Sequence, residues 1–259
     1  MRRTRVFNAS VSRGVTLVEV MIVIVMIPLI IIAFIFVLDN TLYSAHQTAA
    51  RAEYQSAIAR ATDRLEHDIR LASAFNSDIS GSFSDDYAPV TGWTYAGTGT
   101  DDRVLILSLP ATTVRDGASS RTTVYEDTAM YNCTTQLQNN PVLTYRAVYF
   151  IDEGTLYKRF LTDTTTDSCG VQIQKQSCPA ADIASWPASC GARDEIIATN
   201  VSRFSVDYLQ YGLDTPLPNQ YDDVASVTLA RSVQISLTLS KTTSPAITTS
   251  ASFTIARGI

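Results

Sequence analysis

Residues 15–38 read VTLVEVMIVIVMIPLIIIAFIFVL, and this stretch decides the fold of the chain. Residues 20–38 form an apolar run of 19 residues, which Pro28 interrupts. As a helix the run is about 28 Å long, close to the hydrocarbon thickness of a bilayer. Pro28 lacks an N–H and its ring clashes with the preceding turn, so we expect a kink near mid-membrane. The stretch predicts a transmembrane helix.

The residues before this helix set its expected orientation. Residues 1–14 contain four arginines and no acidic residue, whereas the whole chain of 259 residues has a formal net charge of −5. A positive flank stays on the cytoplasmic side, so the remainder should be translocated. An ordinary secretory signal would have a shorter apolar core and a small-x-small cleavage site, and Tyr43 before Ala45 makes a poor site. A plain membrane anchor is the second alternative.

The start of the run carries a more specific signal. Residues 13–22 read RGVTLVEVMI, which resembles the class III signal of type IV prepilins and pseudopilins: a basic leader, Gly, an apolar residue, Thr, Leu, an aliphatic residue and Glu. The position after Gly is usually Phe and here is Val15. The resemblance implies that prepilin peptidase removes residues 1–14 by cutting between Gly14 and Val15, and that the new amine of Val15 is methylated.

Glu19 is the one charged residue of the apolar stretch. A carboxylate inside a membrane span costs about 2.5–3.5 kcal/mol on insertion scales, so such residues are usually functional and partnered. In a fibre, Glu19 could pair with the N-terminal amine of a neighbouring subunit, provided that both charges are present and close. The alternative is that Glu19 lies at the membrane surface and extends into water.

The helix is predicted to continue as an amphipathic segment over residues 39–75. Residues 41–75 contain no Gly or Pro, and apolar residues recur at steps of three and four. These positions, which form one stripe, are Tyr54, Ile58, Ala61, Leu65, Ile69 and Ala72. Residues 63–72 also resemble the matching part of larger minor subunits, the W-type minor pilins and J-type minor pseudopilins.

Residues 76–259 are predicted to form a β-rich globular head. Residues 227–240 alternate apolar and polar side chains, as a half-buried strand does, and residues 201–211 show a similar alternation. Residues 142–151 and 155–161 flank Glu153 and Gly154, a pattern typical of a β-hairpin. Residues 104–109 and 251–255 add two strands. The predicted fold class is α+β and pilin-like, with the long helix packed on a mainly antiparallel sheet.

Residues 162–195 are predicted to be a long loop pinned by disulfides. Three of the four cysteines lie there, and four cysteines allow three connectivities. We favour Cys133 with Cys169 and Cys178 with Cys190. A structural zinc site is the alternative, although close ligand pairs are lacking. The loop could also be a contact surface for a partner.

The sequence offers no candidate catalytic residues and no cofactor motif. Its two histidines both lie on the predicted helix, and the nucleotide-binding, hydrolase and metalloprotease motifs are missing. The acidic body argues against nucleic-acid binding. Asp214, Asp222 and Asp223 are calcium candidates without EF-hand spacing, and solvated turn residues are the alternative. We predict no enzyme activity and no cofactor.

Together these features predict a minor pilin or pseudopilin of a type IV pilus or type II secretion-like fibre. It would cross the cytoplasmic membrane once, with its N-terminus inside, and then enter an extracellular or periplasmic fibre. Its expected partners are prepilin peptidase, other pilins through the N-terminal helix, and the inner-membrane assembly platform. The alternative is an adhesive or ligand-binding head that uses the fibre as a stalk.

Overall fold

The structure is a computed structural model in which the chain divides into two compact units, residues 1–50 and residues 51–259. We call the second unit the sheet domain. The residues that the structure describes are 16–79, 81, 83–90, 92–97, 103–114, 121–127, 133, 140–163, 169, 173–209, 227, 229–241 and 247–258.

One long helix, α1, covers Leu17–Leu71 and is 55 residues long. The strands are β1 Ala74–Asn76, β2 Leu105–Pro110, β3 Thr144–Asp152, β4 Thr155–Leu161, β5 Gln176–Cys178, β6 Cys190–Arg193, β7 Glu195–Thr199, β8 Val201–Leu209, β9 Ser232–Lys241 and β10 Ile247–Ala256, with a 3₁₀ helix over Ala180–Ser185. This is the predicted α+β class, in which a long N-terminal helix packs on a mainly antiparallel sheet.

The strands form three sheets. The five-stranded sheet has the order β1-β2-β3-β4-β7, and the three-stranded sheet has the order β10-β9-β8. Both are antiparallel throughout, whereas β5 and β6 make a small parallel pair. Strands β3 and β4 show the simplest such connection, since the two residues between them are enough to join antiparallel strands without a crossover helix.

The hairpin β3–β4 turns where the sequence predicts it. Glu153 and Gly154 both have positive φ, 46° and 73°. A two-residue turn with two positive φ angles matches the twist of the flanking strands, and Gly adopts it without a steric penalty. The prediction of this hairpin is confirmed.

The main core lies between the second part of α1 and the sheets. The predicted stripe of six apolar residues is buried throughout, with Leu65 and Ile69 fully inaccessible. A second, smaller cluster contains Trp93, Ile106 and Phe150. Strand β2 contributes alternate residues to both clusters, which explains why its first five residues are all buried.

The end of α1 is closed by the far end of the chain. The Gly258 N–H donates to the Arg70 carbonyl at 3.0 Å, and the Arg257 guanidinium donates to the Ser73 carbonyl at 2.7 Å. A Cβ on Gly258 would lie 2.4 Å from the Arg70 oxygen, so glycine is required by the close approach. The bond to Arg70 satisfies a carbonyl that the helix end leaves unpaired, and the bond to Ser73 fixes the chain just beyond the helix.

Three sequence predictions need correction. The amphipathic helix predicted over residues 39–75 ends at Leu71, and Ala74–Asn76 forms β1, so the predicted boundary between helix and head falls inside a strand. The strand predicted over residues 227–240 begins only at Ser232, because Ala230 donates to the Val227 carbonyl in a turn. Leu229, placed on the apolar face by the alternation, is 71% exposed. The loop predicted over residues 162–195 also contains regular structure, namely β5, the 3₁₀ helix, β6 and the first residue of β7.

Candidate functional site

The candidate site is the beginning of α1, where Thr16 and Glu19 cap the helix. The Thr16 N–H donates to Glu19 Oε2 at 3.3 Å, and the Glu19 N–H donates to Thr16 Oγ1 at 3.3 Å. This reciprocal pair is a capping box, which satisfies two backbone donors that would otherwise lack a partner. The Glu19 carboxylate also lies at the positive end of the helix dipole. Its position therefore has a local structural cause as well as the proposed assembly role.

The capping box is an arrangement that the sequence reasoning missed. A Thr followed three residues later by Glu, directly before an apolar run, is a known signature of a helix start. Gly14 and Val15, the predicted cleavage site, lie outside the described residues, as does the whole leader. Their predicted processing stays a prediction.

The apolar part of α1 has no cover within its own unit. Every large apolar side chain from Leu17 to Leu38 is between 43% and 77% exposed. One 18-residue window of the helix has a mean hydropathy of 3.4 and is entirely unburied. By length and composition this is the one helix among the described residues that could cross a membrane. Lipid or other apolar helices must remove this surface from water, since burial is worth about 25 cal/mol per Å².

Pro28 lies inside this apolar helix, and the chain stays helical on both sides of it. Proline has no N–H to donate to the carbonyl one turn earlier, so one bond of the ladder is missing. The predicted kink stays a prediction.

Two threonines beyond the apolar part satisfy their hydroxyls within the helix. Thr41 Oγ1 donates to the Val37 carbonyl at 2.7 Å, and Thr48 Oγ1 donates to the Ser44 carbonyl at 2.9 Å. Hydroxyls paired with the preceding turn tolerate an environment without water. These two hydroxyls therefore need no water as a partner.

The second part of α1 carries a buried charge that the sequence reasoning did not identify as such. Asp68 is 2% exposed, and its Oδ2 accepts hydrogen bonds from Lys158 Nζ and Tyr149 Oη. Lys158, on β4, is fully buried. Arg64 Nε lies 4.0 Å from the same Asp68 oxygen. This Asp68 cluster ties the helix to the middle of the five-stranded sheet.

The electrostatics of the Asp68 cluster follow from burial and pairing. Burial alone would raise the pKa of Asp68, but Lys158 and the two hydrogen bonds outweigh it and hold that pKa below its ordinary value. Burial lowers the pKa of Lys158, and Asp68 offsets this only in part. Both pKa values are therefore lowered, which favours the charged form of Asp68 but disfavours the charged form of Lys158, because desolvation costs each ion separately. Removing either partner would leave the other charge buried and unpaired. Both residues are therefore required, even if the ion pair itself adds little to the free energy of unfolding.

A second buried charge cluster lies on the other face of the same sheet. The guanidinium of Arg159 bonds Asp85 at 2.8 Å and Asp194 at 2.7 Å. Its central carbon lies 5.1 Å from the Phe150 ring centre and 5.5 Å from that of Trp93. Cation–π contact and two carboxylates replace the water that Arg159 loses. The cluster fixes the segment before β7 against the loop that contains Asp85.

Both disulfides have the connectivity that the sequence analysis favoured. Cys133 bonds Cys169, with Cα atoms 5.3 Å apart, and Cys178 bonds Cys190, with Cα atoms 5.8 Å apart. The second bond joins β5 to β6 and so holds together the small parallel sheet. All four thiols are used, which leaves no ligands for the zinc alternative.

The calcium candidates Asp214, Asp222 and Asp223 lie outside the described residues. Within the described part of the chain, no three His, Cys, Asp or Glu side chains come together as a metal site requires.

Comparison with known proteins adds no family to these observations. No protein-family model matches the chain, and no curated protein sequence matches it.

Proposed function

We propose that this chain is a minor pilin or pseudopilin of a type IV pilus or type II secretion-like fibre. Prepilin peptidase removes residues 1–14, the amine of Val15 is methylated, and the mature chain moves from the cytoplasmic membrane into the fibre. There it primes, caps or modulates assembly. The sequence of residues 13–22 and the α+β fold support this function together.

One observation carries the proposal: a single continuous helix is uncovered at its apolar beginning and buried along one stripe at its end. Such a helix needs one environment that is apolar all round and another that covers one face. A bilayer supplies the first environment before assembly, and the helices of neighbouring subunits supply it afterwards. The arginines of the leader favour an N-terminus in the cytoplasm.

The disulfides support export of the sheet domain. Such bonds persist in oxidising compartments and are rare in the cytosol. A periplasmic or extracellular location of the sheet domain fits both bonds and the proposed orientation of the helix.

Intact mass spectrometry of material from the native cell tests the processing step. We expect a chain that begins at Val15 and carries one added methyl group on its amine. A chain that begins upstream of Val15, or far downstream of the apolar stretch, would exclude this function.

Glu19→Ala tests the proposed charge pair, with Glu53→Ala as the matched control on an exposed position of the same helix. We expect Glu19→Ala to reach the membrane fraction at wild-type level but to be lost from sheared fibres. Glu53→Ala should enter both fractions. Normal incorporation of Glu19→Ala would remove the charge pairing from the proposal and leave the processing step standing.

A further inference from the structure

Strand β10 lies at the edge of the three-stranded sheet and is ten residues long. It pairs with β9 on one side, and among the described residues no strand or backbone hydrogen bond covers its other side. In an antiparallel strand every second residue points its N–H and C=O away from the partner. A row of backbone donors and acceptors therefore faces outward along β10.

The other edges of the two larger sheets carry protection that β10 lacks. Strand β1 has three residues, and β7 has five, with a register shift against β4. Strand β8 has a register shift and exposes Arg203 and Asp207. Short length, irregular register and charge are the usual means of keeping an edge from pairing with another chain. Strand β10, ITTSASFTIA, has no charge, no proline and an unbroken register with β9.

Among the described residues, two core-facing side chains of β10 are incompletely buried. Ala251 and Phe253 face the core but are only half-buried, whereas Ile235 and Leu237, their register partners on β9, are fully buried. A further strand beside β10 would complete the burial of both side chains. On the opposite face, β10 presents a row of exposed hydroxyls from Thr248, Ser250, Ser252 and Thr254.

We propose that β10 is the docking edge for β10 of a second copy of this chain, in antiparallel orientation about a two-fold axis. In such a pair each strand meets the same residues in reverse order. A register that keeps the faces matched brings hydroxyls against hydroxyls and core residues against core residues. No charge opposes another charge, because β10 has none.

The occupant follows from this chemistry. In a face-matched register Ser252 meets its own copy at the two-fold axis, and the paired residues run from Thr248 to Ala256. This overlap forms roughly eight to ten backbone hydrogen bonds and joins two three-stranded sheets into one of six strands. A charged partner strand would form no ion pair with β10, because β10 has no charge. An identical strand would extend the row of core-facing apolar side chains on both sides of the new contact. This inference does not depend on the proposed place of the chain in a fibre.

The test compares lysine pairs on two strands of the same sheet, in the full chain in detergent micelles. The edge variant is S250K with S252K, and the matched control is Q234K with S236K on the same outer face of the central strand β9. Sedimentation velocity over a concentration series should show a reversible dimer for the wild type. The edge variant should weaken it at least tenfold, since lysines block strand pairing at an edge. The control should dimerise like the wild type.

A cross-link decides the result should the edge variant lose its fold, as judged by near-ultraviolet circular dichroism. Under mild oxidation Ser252→Cys should form a covalent dimer, and Ser236→Cys, shielded by strands on both sides, should not. A wild type that stays monomeric at all concentrations would overturn the proposal. So would a dimer that survives the edge lysines, which would place the contact in the apolar helix, or the absence of the Ser252→Cys dimer.

Discussion

The first and second parts of α1 share one helix but differ in how their side chains are satisfied. Between Leu17 and Leu38 the helix is apolar all round and every large side chain is exposed. From residue 51 to Leu71, one stripe is buried and the remaining faces are polar. The first part offers surface to any apolar surrounding, whereas the second part packs in one core with residues of both larger sheets. One helix can therefore have a first part that fits any apolar surrounding and a second part that packs in one particular core.

The largest effect is expected in the second part of α1, which packs in the core of the sheet domain. Asp68→Ala leaves the ammonium of Lys158 buried without its carboxylate, which should cost about 3–5 kcal/mol of the free energy of unfolding. Asp63→Ala, on an exposed position of the same helix, should change it by less than about 0.5 kcal/mol. Urea titration of the chain in detergent measures both. Equal small effects would mean that the Asp68 cluster contributes nothing specific.

Lowering the pH should act on the same cluster. The pKa of Asp68 is lowered in the folded chain, so its contribution is present above the ordinary value of 3.8 and is lost as the pH falls through the folded pKa. The midpoint of unfolding should therefore fall more steeply below about pH 4 in the wild type than in Asp68→Asn. Parallel curves would contradict the lowered pKa of Asp68.

The next largest effect should come from a cavity in the core, and it should distinguish the two parts of the helix. Leu65→Ala removes a fully buried side chain and should lower the free energy of unfolding of the sheet domain by about 2–5 kcal/mol. Ile30→Ala, at a position 63% exposed, should leave this value unchanged within about 0.5 kcal/mol. The same urea titration reports both. A comparable loss in Ile30→Ala would show that the first part is also a core element of the sheet domain.

The disulfide in the small parallel sheet should give a smaller effect. Replacing Cys178 and Cys190 together by Ala opens a loop closed over a sequence separation of 12, which should cost about 2–4 kcal/mol, less any strain that is relieved. Thermal melting of the wild type and the double variant without reductant measures it. Reductant should lower the melting temperature of the wild type more than that of the double variant, which has only the Cys133–Cys169 bond left to lose. A melting temperature that is the same with reductant and in the double variant as in the untreated wild type would count against the bond.

The smallest effect is expected at the start of α1, where its apolar part begins. Thr16→Ala removes one half of the capping box and should cost about 0.5–2 kcal/mol of local helix stability. Faster hydrogen exchange at the amides of residues 18–20 would report it, and the sheet domain should exchange as in the wild type. Unchanged exchange at the helix start would mean that Glu19 caps the helix without Thr16.

The sequence predicts the elements whose pattern is local. The stripe from Tyr54 to Ile69 follows from helical spacing alone, and the turn at Glu153 and Gly154 follows from the residue types that tolerate positive φ. The strand start at residue 227 was wrong because Val227 and Leu229 continue the alternation in the sequence, whereas Val227 and Ala230 are the buried residues and pack from a turn. Periodicity alone does not distinguish the two over so few residues.

The Asp68 cluster could not be predicted in the same way. Asp68 and Lys158 are separated by 90 residues, and their contact depends on which strand the helix crosses. A signal was nonetheless present, since Asp68 directly precedes Ile69 on the buried stripe. A charged residue there must either turn outward or find a partner. The capping box at Thr16, by contrast, was readable from spacing and was overlooked because Glu19 already had an assembly role.

The hydrogen bond from Gly258 to Arg70 has a consequence for biosynthesis. The last turn of α1 leaves the ribosome early, but Arg257, which bonds the Ser73 carbonyl, is translated 184 residues later. Until then the carbonyls of Arg70 and Ser73 lack these partners, although the whole of α1 has already been synthesised. The sheet domain can therefore complete its fold only after β10 and the two residues that follow it have been translated.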